Sequence, residues 1–279
     1  MRADEFGLVP WAVLTVAAAI YAATVHSLES IPRPMQKELL AVAVPAPVQV
    51  LLAGGDRYLA ANMAVFRALV VGTQQLDGET YEILGRVQSD AARLNPAHED
   101  NYYISQAILP WNGQILADVF IQNEATEARP WDSLPPFFLG FDKYYFLHDP
   151  IAGARSMRIA AERSPPGNRG SLTLMAARWS EKGDDPRVAV GLLEAMARNT
   201  RDRDLKRNIE ARIERMNGLA ELRDAARKFS ETTGRAPATL SDLLGPELLA
   251  RLPEDPLGQG FAIDGKGVPV VATRPPAKP

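Results

Sequence analysis

Residues 128–165 read ARPWDSLPPFFLGFDKYYFLHDPIAGARSMRIAAERSP and contain one full period of a repeat. The tripeptides LNP, ARP and RSP end at Pro96, Pro130 and Pro165, at intervals of 34 and 35 residues. Proline has no backbone N–H and clashes with the preceding helical turn, so each tripeptide marks a place where a helix ends. The intervals therefore predict helical units of nearly constant length.

A second set of turns lies inside these units. Asp149–Pro150 and Asp185–Pro186 are 36 residues apart, and each divides its unit into two helices. A period near 34 with two helices per unit resembles the tetratricopeptide repeat. Leu139–Gly140 falls where that family has its Leu-Gly pair, and Ala152 falls at its small position in the second helix. Small residues are needed there because the two antiparallel helices cross closely.

The resemblance weakens at other positions. Tyr102 occupies the family's tryptophan position in one unit, whereas Pro136 and Ser171 occupy it in the next two. The likeness covers roughly residues 58–200, about half the chain, and implies an all-α, TPR-like α-solenoid of helical hairpins. The alternative is an unrelated bundle of helical hairpins in which the prolines recur at these intervals by coincidence.

In the tetratricopeptide family, the inner helix of each unit lines a concave groove that grips peptides or helices. Aromatic side chains supply large contact areas and are common at binding hot spots. The alternative is that some of them fill the core between hairpins; Tyr144 and Tyr145, being adjacent, cannot both point inward. The resemblance gives these groove candidates: Tyr103, Phe137, Phe141, Tyr144 and Trp179.

The N-terminus reads as a membrane anchor. Residues 7–25 contain no charge, and their length as a helix approaches the roughly 30 Å of a bilayer core. Trp11 and Tyr21 lie near the two ends, where aromatic rings favour the interface. A cleaved signal peptide is the alternative, although Arg2 is offset by two acids in the first five residues. We expect a single-pass protein of a bacterial inner membrane with its soluble part in the periplasm. The positive-inside rule hardly decides the orientation, because Arg2 and the terminal amine on one side nearly balance Arg33 and Lys37 on the other.

Small residues recur along this apolar segment. Such stripes let two membrane helices approach closely, so the segment is predicted to dock on a membrane subunit of a larger complex. The alternative is simply an alanine-rich anchor. The stripe consists of Thr15, Ala18, Ala19, Ala22 and Ala23.

The next segment is predicted to be extended, because Pro45 and Pro47 interrupt it. A helical pattern then starts near Leu59, and a second follows from Leu84, both with apolar residues at spacings of three and four. The first runs through Met63, Phe66, Leu69 and Val70, and the second through Val87, Ala91 and Leu94.

Residues 203–231 carry one long apolar stripe, typical of a single helix. Such a helix can close a solenoid by burying one face and showing a polar one to water. Asn217–Gly218 is a candidate kink. The stripe consists of Leu205, Ile209, Ile213, Met216, Leu219, Leu222, Ala226 and Phe229.

The tail is predicted to hold a short helix capped by Ser241, with leucines at 243, 244, 248 and 249 behind it, and a small hairpin starting at Phe261. The tail also resembles the segment after the long helix of type II secretion major pseudopilins. Both contain three motifs in the same order: Gly-x-x-Pro, Leu-x-Asp-Leu and Leu-Pro-x-Asp-Pro-x-Gly. The chain lacks the pseudopilin methylation signal, so it is not itself a pilin. The resembling runs are Gly234–Pro237, Leu240–Leu243 and Leu252–Gly258.

That pseudopilin segment holds a calcium ion, but here we expect none. Glu254, Asp255 and Asp264 are the only acids near the turn, and calcium takes six to eight oxygens.

Composition excludes several function classes. A net charge of −3 gives no basic face for nucleic acid, and the absence of cysteine excludes disulfides, thiolate zinc sites and cysteine nucleophiles. His98–Glu99 begins like a zinc-protease helix, but Tyr102 stands where the second histidine is required. His148 sits before a turn and reads as a helix-end residue. We therefore expect no enzyme activity, no cofactor and no metal.

Together these patterns divide the chain into five segments. They are an anchor at 1–28, an extended lead-in at 29–57, TPR-like repeats at 58–202, a capping helix at 203–232 and a pseudopilin-like tail at 233–279 with a disordered end.

The predicted function is a membrane-anchored scaffold for protein–protein interaction, or an assembly factor, in a bacterial envelope complex of the type IV pilus or secretion type. The alternative is an accessory subunit of a membrane transporter or enzyme complex, docked through its transmembrane helix.

Overall fold

The computed structural model describes residues 8–29, 43–72 and 76–273. The chain is mostly helical, at 71%, with a small two-stranded sheet near its C-terminal end. It divides into two compact units, Met1–Ala41 and Val42–Pro279. Residues 30–42 of the predicted lead-in and residues 274–279 of the tail end predicted to be disordered lie outside the described residues.

Eleven α-helices and two strands lie in the part of the chain that the structure describes. They are α1 Leu8–Glu29, α2 Ala46–Leu52, α3 Arg57–Gly72, α4 Gly78–Leu94, α5 Glu99–Ile108, α6 Ile115–Ala128, α7 Leu134–Tyr145, α8 Pro150–Arg163, α9 Pro166–Ser180, α10 Pro186–Asn199, α11 Arg203–Thr233, β1 Phe261–Ile263 and β2 Pro269–Val271.

The first unit contains α1. Its stretch Pro10–Ser27 is long and apolar enough to cross a membrane, and none of it is buried; a signal sequence near an N-terminus has the same properties. The five small residues of the predicted stripe all lie on α1. The Thr15 hydroxyl donates to the carbonyl oxygen of Trp11 at 2.8 Å, within the helix.

The predicted turns of the second unit are confirmed. Helices α4, α6 and α8 end at or just before the LNP, ARP and RSP tripeptides. Asp149 and Asp185 cap α8 and α10, because each carboxylate accepts a backbone N–H of its helix at 2.8 Å. The proline that follows each aspartate occupies the first turn, where a missing N–H costs nothing.

Helices of the second unit pack mainly on their neighbours in sequence. Each helix from α5 to α11 contacts the one before it and the one after it where one follows. Contacts also join second neighbours: α3 with α5, α4 with α6, α8 with α10, and α9 with α11. The helices therefore follow one another in space in the order in which they occur in the chain.

Helices α7 and α8 approach each other closely at two glycines, Gly140 and Gly153. A Cβ atom at Gly140 would lie 3.0 Å from the carbonyl oxygen of Gly153, and one at Gly153 would lie 2.9 Å from the carbonyl oxygen of Gly140. The predicted role of Gly140 in a close crossing therefore holds. The predicted partner, Ala152, is wrong by one residue: it is half-buried, and Gly153 makes the contact because it faces α7.

Two arginines make the same kind of contact one period apart. Arg129, after α6, donates to the carbonyl oxygen of Ala97 at 3.1 Å. Arg163, the last residue of α8, donates to the carbonyl oxygens of Thr126 and Arg129 at 2.9 and 3.2 Å. Arg163 thereby supplies donors to carbonyls at the C-terminal end of α6, which have no partner within that helix, whereas Ala97 lies in the turn after α4.

Two expectations for the start of this unit need correction. Residues 46–52 form a helix rather than extended chain, because Pro45 and Pro47 lie at its cap and first turn, where proline is tolerated. Helix α3 is present, but the large apolar side chains that define its pattern are exposed. Its buried face is built from small residues, which allow close packing on α4: Ala60, Ala61, Ala64, Val65 and Ala68.

The predicted long helix is confirmed as α11, which is continuous through Asn217 and Gly218. Six of the eight residues of its stripe are buried; Leu205 and Ile213 are partly buried. The hairpin is also confirmed: β1 and β2 pair antiparallel, with Phe261 opposite Val271. The short helix differs, because it is a 3-10 turn over Leu240–Leu243 whose cap is Thr239, not Ser241.

The tail packs on the C-terminal half of α11 and shares a core with it. Leu222 and Phe229 of α11 cluster with Leu243, and Phe261 packs against the same group. At Gly218 the chain approaches so closely that a Cβ atom would lie 3.0 Å from the ring of Pro253. The tail is therefore part of the folded unit.

Candidate partner-binding surfaces

The five aromatic groove candidates lie on alternate helices. Tyr103 is on α5, Phe137, Phe141 and Tyr144 are on α7, and Trp179 is on α9. Each is partly or largely exposed. Tyr145 is 52% exposed, as expected for one member of the Tyr144–Tyr145 pair.

Their ring contacts form three groups. Tyr103 and Phe137 both contact Phe138, each with ring centroids 5.8 Å apart. Tyr144 stacks on Trp179 at 4.2 Å, which joins α7 to α9. Phe137 and Trp179 also pack against the buried core, so each of these two side chains contributes to the core as well as to the exposed surface.

The third group surrounds Phe141 and was not predicted in full. Phe141 stacks on Tyr145 at 5.3 Å, and Trp111, from the turn after α5, lies 6.4 Å from Phe141 and 6.0 Å from Tyr145. Trp111 is 58% exposed. No repeat position pointed to it, because it lies in the loop between two helices of a unit.

An open cleft lies beside the stacked pair Tyr144–Trp179. Its walls come from the α7–α8 turn and the α9–α10 turn, and include Tyr144, Asp149 and Asp185. The Lys182 ammonium donates to the Tyr144 hydroxyl and lies 5.2 Å from the centre of that ring. His148, in the same cleft, has a positive φ of 53° and is exposed, consistent with its reading as a helix-end residue.

A large exposed apolar surface lies on α2 and α3, and is called the α2–α3 apolar face below. Phe66 is 67% exposed and Leu51 is 76% exposed. The sequence carried a signal for it, because α3 has only three polar side chains, Arg57, Asn62 and Arg67, whereas the outer side of a surface helix is ordinarily polar. The face consists of Val48, Leu51, Leu52, Tyr58, Leu59, Met63, Phe66, Leu69 and Val70.

Two carboxyl groups meet in the buried interior between α6 and α7. Asp118 and Asp142 are both fully buried, and one carboxylate oxygen of each has no other protein partner among the described residues. Gln106 donates to Asp142 at 3.0 Å, and Gln122 lies 3.3 Å from Asp118. Burial, together with the hydrogen bond and charge of Asp142, raises the pKa of Asp118 well above its usual range. The pair therefore retains a proton at a pH at which exposed carboxyl groups are ionised.

We expect Asp118→Asn to stabilise the protein at mildly alkaline pH and to flatten its pH dependence. The folded pair retains a proton that the unfolded chain releases above about pH 4, so the free energy of unfolding falls as pH rises toward the folded pKa. The asparagine amide keeps a donor toward Asp142 without titrating. Chemical denaturation across this pH range measures the effect. Asp204→Asn, an exposed acid on α11, is the control, and equal pH slopes for native protein and Asp118→Asn would contradict the interpretation.

Two other titratable groups with shifted pKa values lie at a helix start and in a turn. Burial lowers the pKa of His98, which lies at the start of α5. Asp255 accepts N–H groups from Leu257, Gln259 and Gly260, so its oxygens are engaged by the chain itself. In the described residues, no group of three or more histidine, aspartate or glutamate side chains is placed to hold a metal ion.

The geometry thus offers aromatic groups on alternate helices and one broad apolar face as surfaces for partners. Comparison of the chain with protein-family models, with curated proteins and with solved structures found no match.

Proposed function

We propose that this chain is a membrane-anchored protein–protein interaction scaffold or assembly factor of a bacterial envelope complex, with α1 in the inner membrane and the second unit in the periplasm. The observation that carries the proposal is the set of partly exposed aromatic side chains on α5, α7 and α9 of a consecutively packed helical array. Such side chains bind a partner with little loss of conformational entropy.

The proposal includes a TPR-like α-solenoid over residues 58–202. Three features support it. Helices pack on first and second neighbours in sequence, and Gly140 and Gly153 make the close crossing of one hairpin. Arg129 and Arg163, one period apart, donate to the carbonyl oxygens of Ala97 and Asp132.

Groove chemistry indicates the kind of partner. The rings of Tyr103, Phe141 and Tyr144 are partly exposed. The Lys182 ammonium lies 5.2 Å from the centre of the Tyr144 ring. A helix or extended peptide with apolar anchor residues suits such a surface. Assignment to a type IV pilus or secretion complex rests on the pseudopilin-like order of the tail, which packs as one body with α11.

A site-specific photo-crosslinker tests the groove. Placed at Phe141 or Tyr103 of the full chain in living cells, it is expected to capture a defined partner. The same group at Leu116, which is 73% exposed on α6, is the control, because α6 lies outside the proposed groove. Equal capture at all three positions would contradict the groove. Pilus or secretion proteins among the captured partners support the assignment, and transporter subunits support the alternative.

Triple replacement of Phe141, Tyr144 and Trp179 by alanine is expected to abolish capture by the crosslinker at Tyr103 while the circular dichroism spectrum stays helical. Trp179 also packs against the core, so the double variant without it is measured alongside.

The alternative, an accessory subunit docked through α1, is favoured by the small-residue stripe on a helix with no buried surface. Leucine at Ala18, Ala19, Ala22 and Ala23 is expected to disrupt the complex under this alternative and to leave it intact under the first.

A further inference from the structure

The α2–α3 apolar face is too large to be incidental. Each of its nine large side chains is at least 44% exposed, whereas soluble monomers rarely expose contiguous apolar patches larger than a few hundred Å². The opposite side of α3 is already occupied, because its alanines pack on α4. The large side chains therefore face outward on a helix that is fixed in place.

The charge of this region suits a lipid surface. Residues 43–72 contain two arginines and a single acid, Asp56. That acid caps α3, since its carboxylate accepts the N–H groups of Tyr58 and Leu59 at 2.8 and 3.1 Å. No acidic residue belongs to the face, so nothing on it repels anionic headgroups. Arg57 lies 4.9 Å from the Tyr58 ring, which places a cation and an amphipathic ring at one border.

Chain length keeps the face near the membrane. Only 13 residues, 30–42, join the last residue of α1 to the first described residue of the second unit. Extended, they span at most about 45 Å. A surface tethered at this distance meets lipid at high effective concentration, whereas a soluble partner must be recruited.

We propose that the α2–α3 apolar face binds the surface of the lipid bilayer, with Leu51, Leu52 and Phe66 inserted at the boundary between headgroups and acyl chains. This inference rests on the proposed function, because it requires α1 to be a membrane anchor. A second contact with the bilayer would fix the orientation of the second unit relative to the membrane.

Fluorescence quenching in nanodiscs tests the contact. The chain has no cysteine, so single cysteines can be introduced into the full-length protein and labelled with an environment-sensitive dye. Probes replace Phe66 and Leu52 on the face, Leu14 on α1, and Glu194 on the exposed side of α10 as the control. The discs contain phosphatidylethanolamine and phosphatidylglycerol. Quenchers are nitroxide groups on lipid acyl chains and iodide in the buffer.

We expect the Phe66 and Leu52 probes to be blue-shifted and quenched by the lipid nitroxide, and the Glu194 probe to be quenched by iodide only. Lipid quenching at Leu14 with iodide quenching at Phe66 and Leu52 overturns the inference and leaves the anchor standing. Absence of lipid quenching at Leu14 overturns the anchor itself. Protection of Phe66 from both quenchers overturns the inference in favour of a protein surface, either a second copy or a partner.

A charge variant supplies a second readout. Leu51→Asp, measured with the Phe66 probe, is expected to remove lipid quenching without changing helicity, because Leu51 is exposed. Val188→Asp, at an exposed position of α10, is the matched control and is expected to leave quenching unchanged. Unchanged quenching in Leu51→Asp would overturn the insertion.

Discussion

Arg215→Leu is expected to lower the free energy of unfolding by about 3–5 kcal/mol and to release the tail from α11. Arg215 is 4% exposed, and its Nε and Nη2 atoms donate to the two carboxylate oxygens of Asp255 at 2.9 and 3.1 Å. The Asp255 side chain is 1% exposed. Leucine fills similar space but leaves a buried carboxylate without its cation, which is far more costly than losing an exposed ion pair.

Chemical denaturation followed by circular dichroism measures the loss, and limited proteolysis between residues 234 and 260 reports release of the tail. Arg207→Leu, on the same helix, is the control, because the Arg207–Asp204 pair is exposed and contributes little. Equal destabilisation by the two substitutions would show that the buried pair does not hold the tail.

The same pair predicts acid sensitivity. Burial opposes ionisation of Asp255, but hydrogen bonds from Arg215 and from backbone N–H groups outweigh it and lower the pKa of that carboxyl. Stability from this group is therefore present above the usual carboxyl pKa, about 4, and is lost as pH falls through the lower folded value. In Arg215→Leu this contribution is expected to shrink, so the variant loses less stability on acidification.

Gly153→Ala is expected to destabilise the protein by about 1–3 kcal/mol, although alanine ordinarily favours helix over glycine. The added methyl group would lie 2.9 Å from both the carbonyl oxygen of Gly140 and the Cβ atom of Tyr144. Backbone cannot move aside as a side-chain tip can, so α7 and α8 must separate. Separation also shifts Tyr144 and weakens its stacking on Trp179.

Gly191→Ala makes the identical change in α10, where an added methyl group meets nothing within 4 Å. It is expected to stabilise by a few tenths of a kcal/mol to about 1 kcal/mol, because the unfolded chain loses freedom. The two variants thus have opposite signs in one denaturation assay. Destabilisation by both would mean that the α7–α8 crossing is not the cause.

The starts of α8 and α10 were predictable because local chemistry sets them. Asp149 and Asp185 cap their helices through atoms three or fewer residues away, and the prolines beside them act within one turn. The stripe of α11 was predictable for the same reason, since its apolar residues bury one face of one helix.

Burial on α3 was not predictable from side-chain size alone. Large apolar residues ordinarily form a core, yet here the alanines pack on α4 and Phe66 faces outward. Choosing between the two faces requires knowing how closely the neighbouring helix approaches. The one-residue error at Ala152 has a similar origin, because the rotation of α8 decides whether residue 152 or 153 faces α7.

Some candidate site residues were predictable from the sequence and others were not. The repeat resemblance placed Phe141 and Tyr144 on one exposed helix, but Trp111 joins Phe141 only through the turn after α5. Asp118 and Asp142 meet across two helices, and Arg215 and Asp255 are 40 residues apart. No local pattern encodes such pairs, because tertiary packing brings them together.

Attachment of the tail to α11 affects how incomplete chains are handled in the cell. A polypeptide that stops before Asp255 lacks Phe261 and leaves Arg215 without its buried carboxylate, so Leu222 and Phe229 lose part of their cover. Newly exposed apolar surface of this kind is bound by chaperones and cleared by proteases. A chain cut before Asp255 is therefore expected to be cleared faster than one that carries the packed tail.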